Sequence, residues 1–192
     1  MKLNNKYYIL RHGEASSNVK DIVSCWPEKF RNPLTEKGRE KIKEVAGQLK
    51  NKGVNLIFSS DLLRAKQTAE IVARELKIKI KFDKRLREIG FGIFNAKPSE
   101  DFLRYFKGIK DRIKNKTPGG ENYEEVSGRI FAFFTEINKK YKGKNILIVS
   151  HQAPLLFLLA SLKNSSVLSN IKELKEIFEK KKVTKGELIE IN

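Results

Sequence analysis

The chain has 192 residues, 40% of them hydrophobic, with 40 basic against 23 acidic residues and a net charge of +17 at pH 7. That length and apolar content suit one α/β domain with a sizeable core, since chains of this size bury roughly 70% of their unfolded surface. No run approaches the ~20 apolar residues of a membrane span, Met1 to Leu10 lacks the features of a signal peptide, and the lone Cys25 excludes an intrachain disulfide or a cysteine-built zinc site, so a cytosolic protein is expected.

KYYIL (6–10) reads as a first strand, and LTEKGREKIKEVAGQLKNKG then places Ile42, Val45, Ala46 and Leu49 at the spacing of an amphipathic helix, with Thr35 as N-cap and Gly53 as stop. NLIFSS (55–60) is a second strand, followed by the helix DLLRAKQTAEIVAREL with Asp61 at its cap. IKIKF (78–82) alternates like a half-exposed strand near a sheet edge. REIGFGIFN reads as a glycine-bearing loop, EDFLRYFKGIKDRIKN as a helix, TPGGEN as a turn and YEEVSGRIFAFFTEINKKY as a long amphipathic helix. NILIVS (145–150) is a buried strand, APLLFLLASL an apolar helix, SNIKELKEIFEKKK a charged helix and ELIEI (187–191) a last strand.

Strands alternating with helices predict a single-domain three-layer α/β sandwich over residues 1–192, with a mostly parallel central sheet and helices on both faces. Ligands of such sheets bind outside the carboxyl ends of the strands. Both histidines fall there: His12, next to Arg11, follows the first strand, and His151 follows NILIVS, while Arg64 lies just past NLIFSSDLL. Guanidinium forks match the oxygens of phosphate and carboxylate, and an imidazole among them can attack phosphorus or carry a proton. Two histidines without an acidic cluster fall short of a catalytic zinc site, and the arginines would repel the cation, so no metal or cofactor is expected. The residues point to a crevice that handles a phosphoryl group.

Five segments in order then resemble the histidine phosphatase superfamily, the phosphoglycerate mutase-like family, from residue 7 to about residue 162: Arg11-His12-Gly13-Glu14 with Asn18, NPLTEKGREKIKEVA (32–46), SSDLLRAKQTAE (59–70), PGGEN (118–122) and VSHQAP (149–154). The resemblance implies that His12 becomes phosphohistidine, that Arg11, Arg64 and His151 grip the phosphoryl oxygens with Asn18 as a neutral donor, and that Glu88 of LREIGFG protonates the leaving alcohol and then activates water. Glu14 takes a supporting role, Ser16 and Ser17 are ordinary loop residues, and Gln152, standing where the family usually has glycine, lines the pocket. The bland alternative for Glu88 is a surface ion pair with Arg85 or Arg87, and Glu121 is then the next candidate acid.

Mutase members carry a glutamate-arginine-histidine-tyrosine-glycine stretch around the acid and an insertion before the second histidine, whereas here the acid segment is REIGFGIFNAKP, which favours a phosphatase. The expected function is metal-independent hydrolysis of a small phosphorylated metabolite, with a phosphoglycerate mutase or a polyanion-binding protein as alternatives. The lysines lie on helix faces and loop tips without the aromatic interleaving of single-strand binders, so nucleic acid is not the expected partner. Residues 85–120 are expected to form a lid that shapes specificity. In it, at least two of Phe102, Tyr105 and Phe106 should pack into the core, while Lys97, Arg104 and Lys107 fit either a second anion or a solvated face.

Overall fold

The computed structural model describes residues 2–163 and 183–191. Its strands are β1 (Lys6–Arg11), β2 (Leu56–Ser59), β3 (Ile80–Phe82), β4 (Asn145–Ser150) and β5 (Leu188–Ile191), in the order β3-β2-β4-β1-β5. The first four run parallel and β5 pairs antiparallel with β1. Helices α1 (Ser16–Val19), α2 (Glu36–Leu49), α3 (Leu63–Leu76), α4 (Ser99–Arg104), α5 (Asp111–Lys114), α6 (Tyr123–Lys140) and α7 (Gln152–Lys163) connect them. The α/β sheet with helices on both faces is the expected architecture.

Because successive strand side chains point to opposite faces, β1 and β4 feed two cores. Tyr7, Ile9, Ile146 and Ile148 pack with Ile130, Phe133 and Phe134 of α6 and Leu155 and Phe157 of α7. Tyr8, Leu10, Leu147 and Val149 pack with Ile42, Val45 and Leu49 of α2 and Ala65, Ala69 and Val72 of α3. Both central strands are buried on both sides, which is why their sequences read as nearly unbroken apolar runs.

Thr35 caps α2 by accepting from the Gly38 N–H at 3.0 Å, and the helix passes through a 3₁₀ turn to end at Gly53, φ +63°. Asn122 and Glu125 form a reciprocal capping box at the start of α6. The edge position of β3 is also as read.

Three local expectations are corrected. The segment 100–115 is two short helices, α4 and α5, because Gly108 between them sits at φ +145°, which no continuing helix permits. Asp61 does not cap α3, whose N-cap is Leu62; its carboxylate instead takes a two-pronged ion pair from Arg87 at 2.5 and 2.7 Å. Ser16 and Ser17 begin α1 and are not loop residues, and Ser17 is buried against Asn32. The charged helix expected in SNIKELKEIFEKKK lies outside the described residues.

Candidate active site

Register sets the site. Arg11 at the end of β1 pairs with Ser150 at the end of β4, so His12 and His151 both leave the sheet at the same level on adjacent strands. Their ring centroids are 5.1 Å apart. The loop after His12 turns tightly because two glycines face each other: a Cβ on Gly13 would meet the Gly38 carbonyl oxygen at 2.8 Å, and one on Gly38 would meet the Glu14 carbonyl oxygen at 2.2 Å. The Gly13 N–H is held by Thr68 Oγ1 at 3.2 Å, linking the loop to α3.

The hydrogen bonds fix the His12 tautomer. Nδ1 lies 2.8 Å from the Gly13 carbonyl oxygen, an acceptor, so Nδ1 carries the proton and donates. Nε2 keeps its lone pair, to which the Arg64 Nε–H donates at 3.1 Å. Burial, followed by the charges of Arg64 and Arg11, holds the imidazole well below its usual pKa, so it is neutral near pH 7. A neutral imidazole with an unprotonated ring nitrogen is the nucleophilic form. Burial and the same arginines depress His151 as well, with His12 adding to the effect. His151 Nε2 lies 2.8 Å from Ser60 Oγ, which already accepts from the Leu62 N–H at 3.3 Å and so has its own proton to give.

Around these rings several buried polar atoms have no hydrogen-bond partner among the described residues: Arg11 Nε, Arg64 Nη1 and His151 Nδ1. The rest of each arginine is anchored, Arg11 by donating to the Val183 carbonyl at 2.7 Å and Arg64 by donating to the Ser24 carbonyl at 2.9 Å. The nearest carboxylate to Arg64, Glu28, stays 3.9 Å away and accepts from the Leu63 N–H instead. Buried polar groups are ordinarily paired, so orphaned guanidinium donors beside a neutral imidazole form a cradle for an anion.

His12 and Arg64 line a cleft of about 1040 Å³, together with Arg11, Glu14, Asn18, Glu88 and Gln152. His151 is fully buried, with its ring 5.1 Å from that of His12. Asn18 Oδ1 accepts from the Ala15 N–H at 3.0 Å, and Glu14 accepts from the Thr35 hydroxyl at 2.9 Å, which suits a supporting part. Gln152 opens α7 at the cleft.

Glu88 is not a surface ion-pair partner. Arg85 is taken by Asp83 and Glu136, and Arg87 by Asp61. Glu121 is also committed, to Arg129 through both oxygens and to the Gly90 N–H. Glu88 accepts from the Ile89 N–H at 2.9 Å, has no ion pair among the described residues, and faces the cleft. Cys25 is buried, with its sulfur accepting from the Phe91 N–H, and burial raises its thiol pKa.

Two arginines escaped the sequence reading. Arg129 donates to the carbonyls of Arg85, Arg87 and Glu88 as well as to Glu121, fixing the irregular segment that presents Glu88. Its signal was a cation three residues after Val126, inside the buried stripe of α6. Arg112 of α5 lines the cleft and sits between Ile109 and Ile113, a cation at apolar spacing.

A family model described as the histidine phosphatase superfamily (branch 1) matches residues 7–174. A protein of Salmonella paratyphi B named probable phosphoglycerate mutase GpmB is 32% identical over 160 residues, covering 81% of this chain and 73% of its own length. Among solved structures, YhfR of Bacillus stearothermophilus is 30% identical with a TM-score of 0.75, covering 83% of this chain and 80% of that one. The alpha-ribazole phosphatase of Shigella flexneri is 25% identical with a TM-score of 0.80, covering 97% and 90%.

Proposed function

The chain belongs to the histidine phosphatase superfamily, and on that premise we propose that it is a metal-independent phosphomonoesterase acting on a small phosphorylated metabolite through a phosphohistidine. One observation carries the reading: a neutral His12 with its Nε2 lone pair in the cleft, flanked by guanidinium donors of Arg11 and Arg64 that have no partner among the described residues.

In the first half-reaction the phosphoryl oxygens take the orphaned donors of Arg11 and Arg64, with Nδ1–H of His151 and the side-chain amide of Asn18 completing the grip. Arg64 Nε moves from His12 Nε2 to the phosphoryl group and frees the lone pair. Nε2 then attacks phosphorus in line with the ester oxygen; the N–P bond forms as the P–O bond breaks, and Glu88 in its acid form gives its proton to the departing alcohol. Charge that builds on the equatorial oxygens is met by the fixed guanidiniums of Arg11 and Arg64, whose partial or full burial strengthens such stabilisation. In the second half-reaction Glu88, now a carboxylate, takes a proton from water as that water attacks phosphorus. The N–P bond breaks, inorganic phosphate leaves, and His12 returns to its neutral tautomer.

A mutase would hand the same phosphoryl group to a second hydroxyl of the substrate, and the GpmB relative keeps that reading in play. The alpha-ribazole phosphatase neighbour supports hydrolysis. A phosphate-release screen over sugar phosphates, phosphoglycerates, nucleotides and phosphopeptides separates the two: hydrolysis releases stoichiometric phosphate, while a mutase isomerises phosphoglycerate with little release. Absence of both activities in a protein that binds polyanions would refute the enzymatic reading.

A further inference from the structure

Beside the phosphoryl grip stands a carboxylate that the mechanism does not use. Of the three arginines that line the cleft, Arg112 lies among the rings of Tyr123, Phe102 and Phe106 and Arg11 is tied to the Val183 carbonyl, whereas Arg64 has Glu28 next to it. Glu28 Oε2 accepts from the Leu63 N–H at 3.1 Å, at the start of α3 and one residue before Arg64. Glu28 Oε1 lies 3.9 Å from Arg64 Nη1, about 1 Å beyond a normal hydrogen bond. Both atoms are buried, and neither has a hydrogen-bond partner among the described residues. Two groups of opposite charge thus face each other without closing.

The segment that carries Glu28 is fixed. Asn95 accepts from the Cys25 N–H at 3.1 Å and donates to the Pro27 carbonyl at 2.7 Å, and the Ser24 carbonyl accepts from Arg64 Nη2 at 2.9 Å. Residues 24 to 28 therefore anchor Arg64 at one nitrogen and hold a carboxylate near another. Capping of α3 explains only one oxygen of Glu28. The N-cap residue, Leu62, supplies no side-chain cap, but a neutral amide oxygen would accept from the same N–H. A buried carboxylate oxygen without a donor is costly, and this one stands beside the donor that the phosphoryl group is to take. Burial lowers the Arg64 pKa, and the charges of Glu88 and Glu28 oppose that effect.

Resting on the phosphatase reading above, we propose that Glu28 is a positioning residue, a resident counter-anion that competes with the phosphoryl group for Arg64 Nη1 and so limits how tightly phosphate is held. Two guanidiniums with no internal anion would grip the departing inorganic phosphate as firmly as the substrate, and binding of that uniform kind does not raise kcat. With Glu28 in place, Nη1 has only the last ångström to cross when phosphate leaves. The carboxylate acts through Arg64 and does not itself touch the reacting atoms.

Glu28→Gln keeps an acceptor for the Leu63 N–H and removes the charge. By calorimetry the variant should bind inorganic phosphate roughly three- to thirtyfold more tightly than the wild type, and KM for p-nitrophenyl phosphate should fall in parallel with no rise in kcat. Glu28→Asp, which keeps the charge, should return phosphate affinity towards the wild-type value. A merely structural contact would move these readouts the other way, weakening phosphate and raising KM. If Glu28→Gln fails to fold, or binds phosphate no more tightly than the wild type, Glu28 is a helix cap and the proposal is overturned; the same holds if Glu28→Asp binds phosphate as tightly as Glu28→Gln. If the wild type binds phosphate but hydrolyses nothing, the phosphatase reading fails by itself, and the calorimetric comparison still decides the part played by Glu28.

Discussion

Replacing Glu88 by Gln tests the acid-base assignment with little structural disturbance. The side chain makes one local contact, accepting from the Ile89 N–H at 2.9 Å, which an amide oxygen also accepts. No arginine loses a partner, since Arg85, Arg87 and Arg129 are all bound to other carboxylates. The stability change should therefore stay below about 1 kcal/mol. The chemical change should be large wherever the leaving group needs a proton. For an alkyl phosphate such as a sugar or glycerate ester, kcat/KM should fall at least about a hundredfold, the lower end for general acid catalysis and equivalent to ~2.7 kcal/mol. p-Nitrophenolate departs unaided, so p-nitrophenyl phosphate should still phosphorylate His12 in the variant. Rapid-mixing experiments should then show a stoichiometric burst of nitrophenol followed by slow turnover, because the base that activates water has gone. Equal and small losses on both substrates, with no burst, would refute the assignment. Glu121 is a poor replacement candidate, since Arg129 and the Gly90 N–H already hold its oxygens.

His12→Ala should abolish both turnover and an acid-labile phosphoenzyme, and label trapped on Ser16, Ser17 or His151 by mass spectrometry would contradict the nucleophile proposed. p-Nitrophenyl phosphate hydrolysis should persist in excess EDTA and be inhibited by vanadate, and activity lost to chelation and restored by zinc or magnesium would rule out the metal-free route. Both imidazoles are held neutral by burial and the neighbouring arginines, whereas the unfolded chain protonates them at and below about pH 6.5; stability is thus full above that pH and declines as pH falls through it, by up to about 1.4 kcal/mol per pH unit for each histidine. Urea midpoints between pH 7 and pH 5 should show this slope, and His151→Asn should remove one histidine's share of it. Arg129→Leu deprives Glu121 and three backbone carbonyls of their donor; because the pair is partly exposed, the cost should be about 2–3 kcal/mol, a fall in Tm of roughly 4–12 °C, together with reduced activity as the Glu88 segment loosens.

The strands and long helices were legible because their burial follows a simple period. KYYIL and NILIVS are buried on both faces, and Ile42, Val45, Ala46 and Leu49 mark one stripe. His12, Arg11, Arg64 and His151 were legible as a group because strand ends in such a sheet converge. What the sequence hid were pairings between segments far apart in the chain. Asp61 reads as a cap from its neighbours, but Arg87, contributed by the next connection, competes for its carboxylate and wins with two hydrogen bonds. The helix expected over 100–115 has adequate local propensity on either side of Gly108, and the turn at Gly108, with φ +145°, breaks it where Phe102 and Phe106 pack against each other. Arg112 and Arg129 read as solvated surface cations, because nothing local announces the rings of one or the carbonyls of the other.

The position of β4 between β2 and β1 has a consequence for synthesis of the chain. β1 is made first, but its neighbours are β4, with Lys6 opposite Asn145, and β5, with Tyr7 opposite Ile191. A nascent chain must therefore carry the apolar run Tyr7 to Leu10 past more than a hundred further residues before any strand can pair with it, and such distant pairings make folding slow. Until residues 145–150 emerge, β2 and β3 can pair with each other but not with β1. A product truncated before Asn145 would hold His12 after an unpaired strand exposed to aggregation. Because the β1–β4 ladder sets His12 beside His151, the two imidazoles come together only after residues 145–151 have been made.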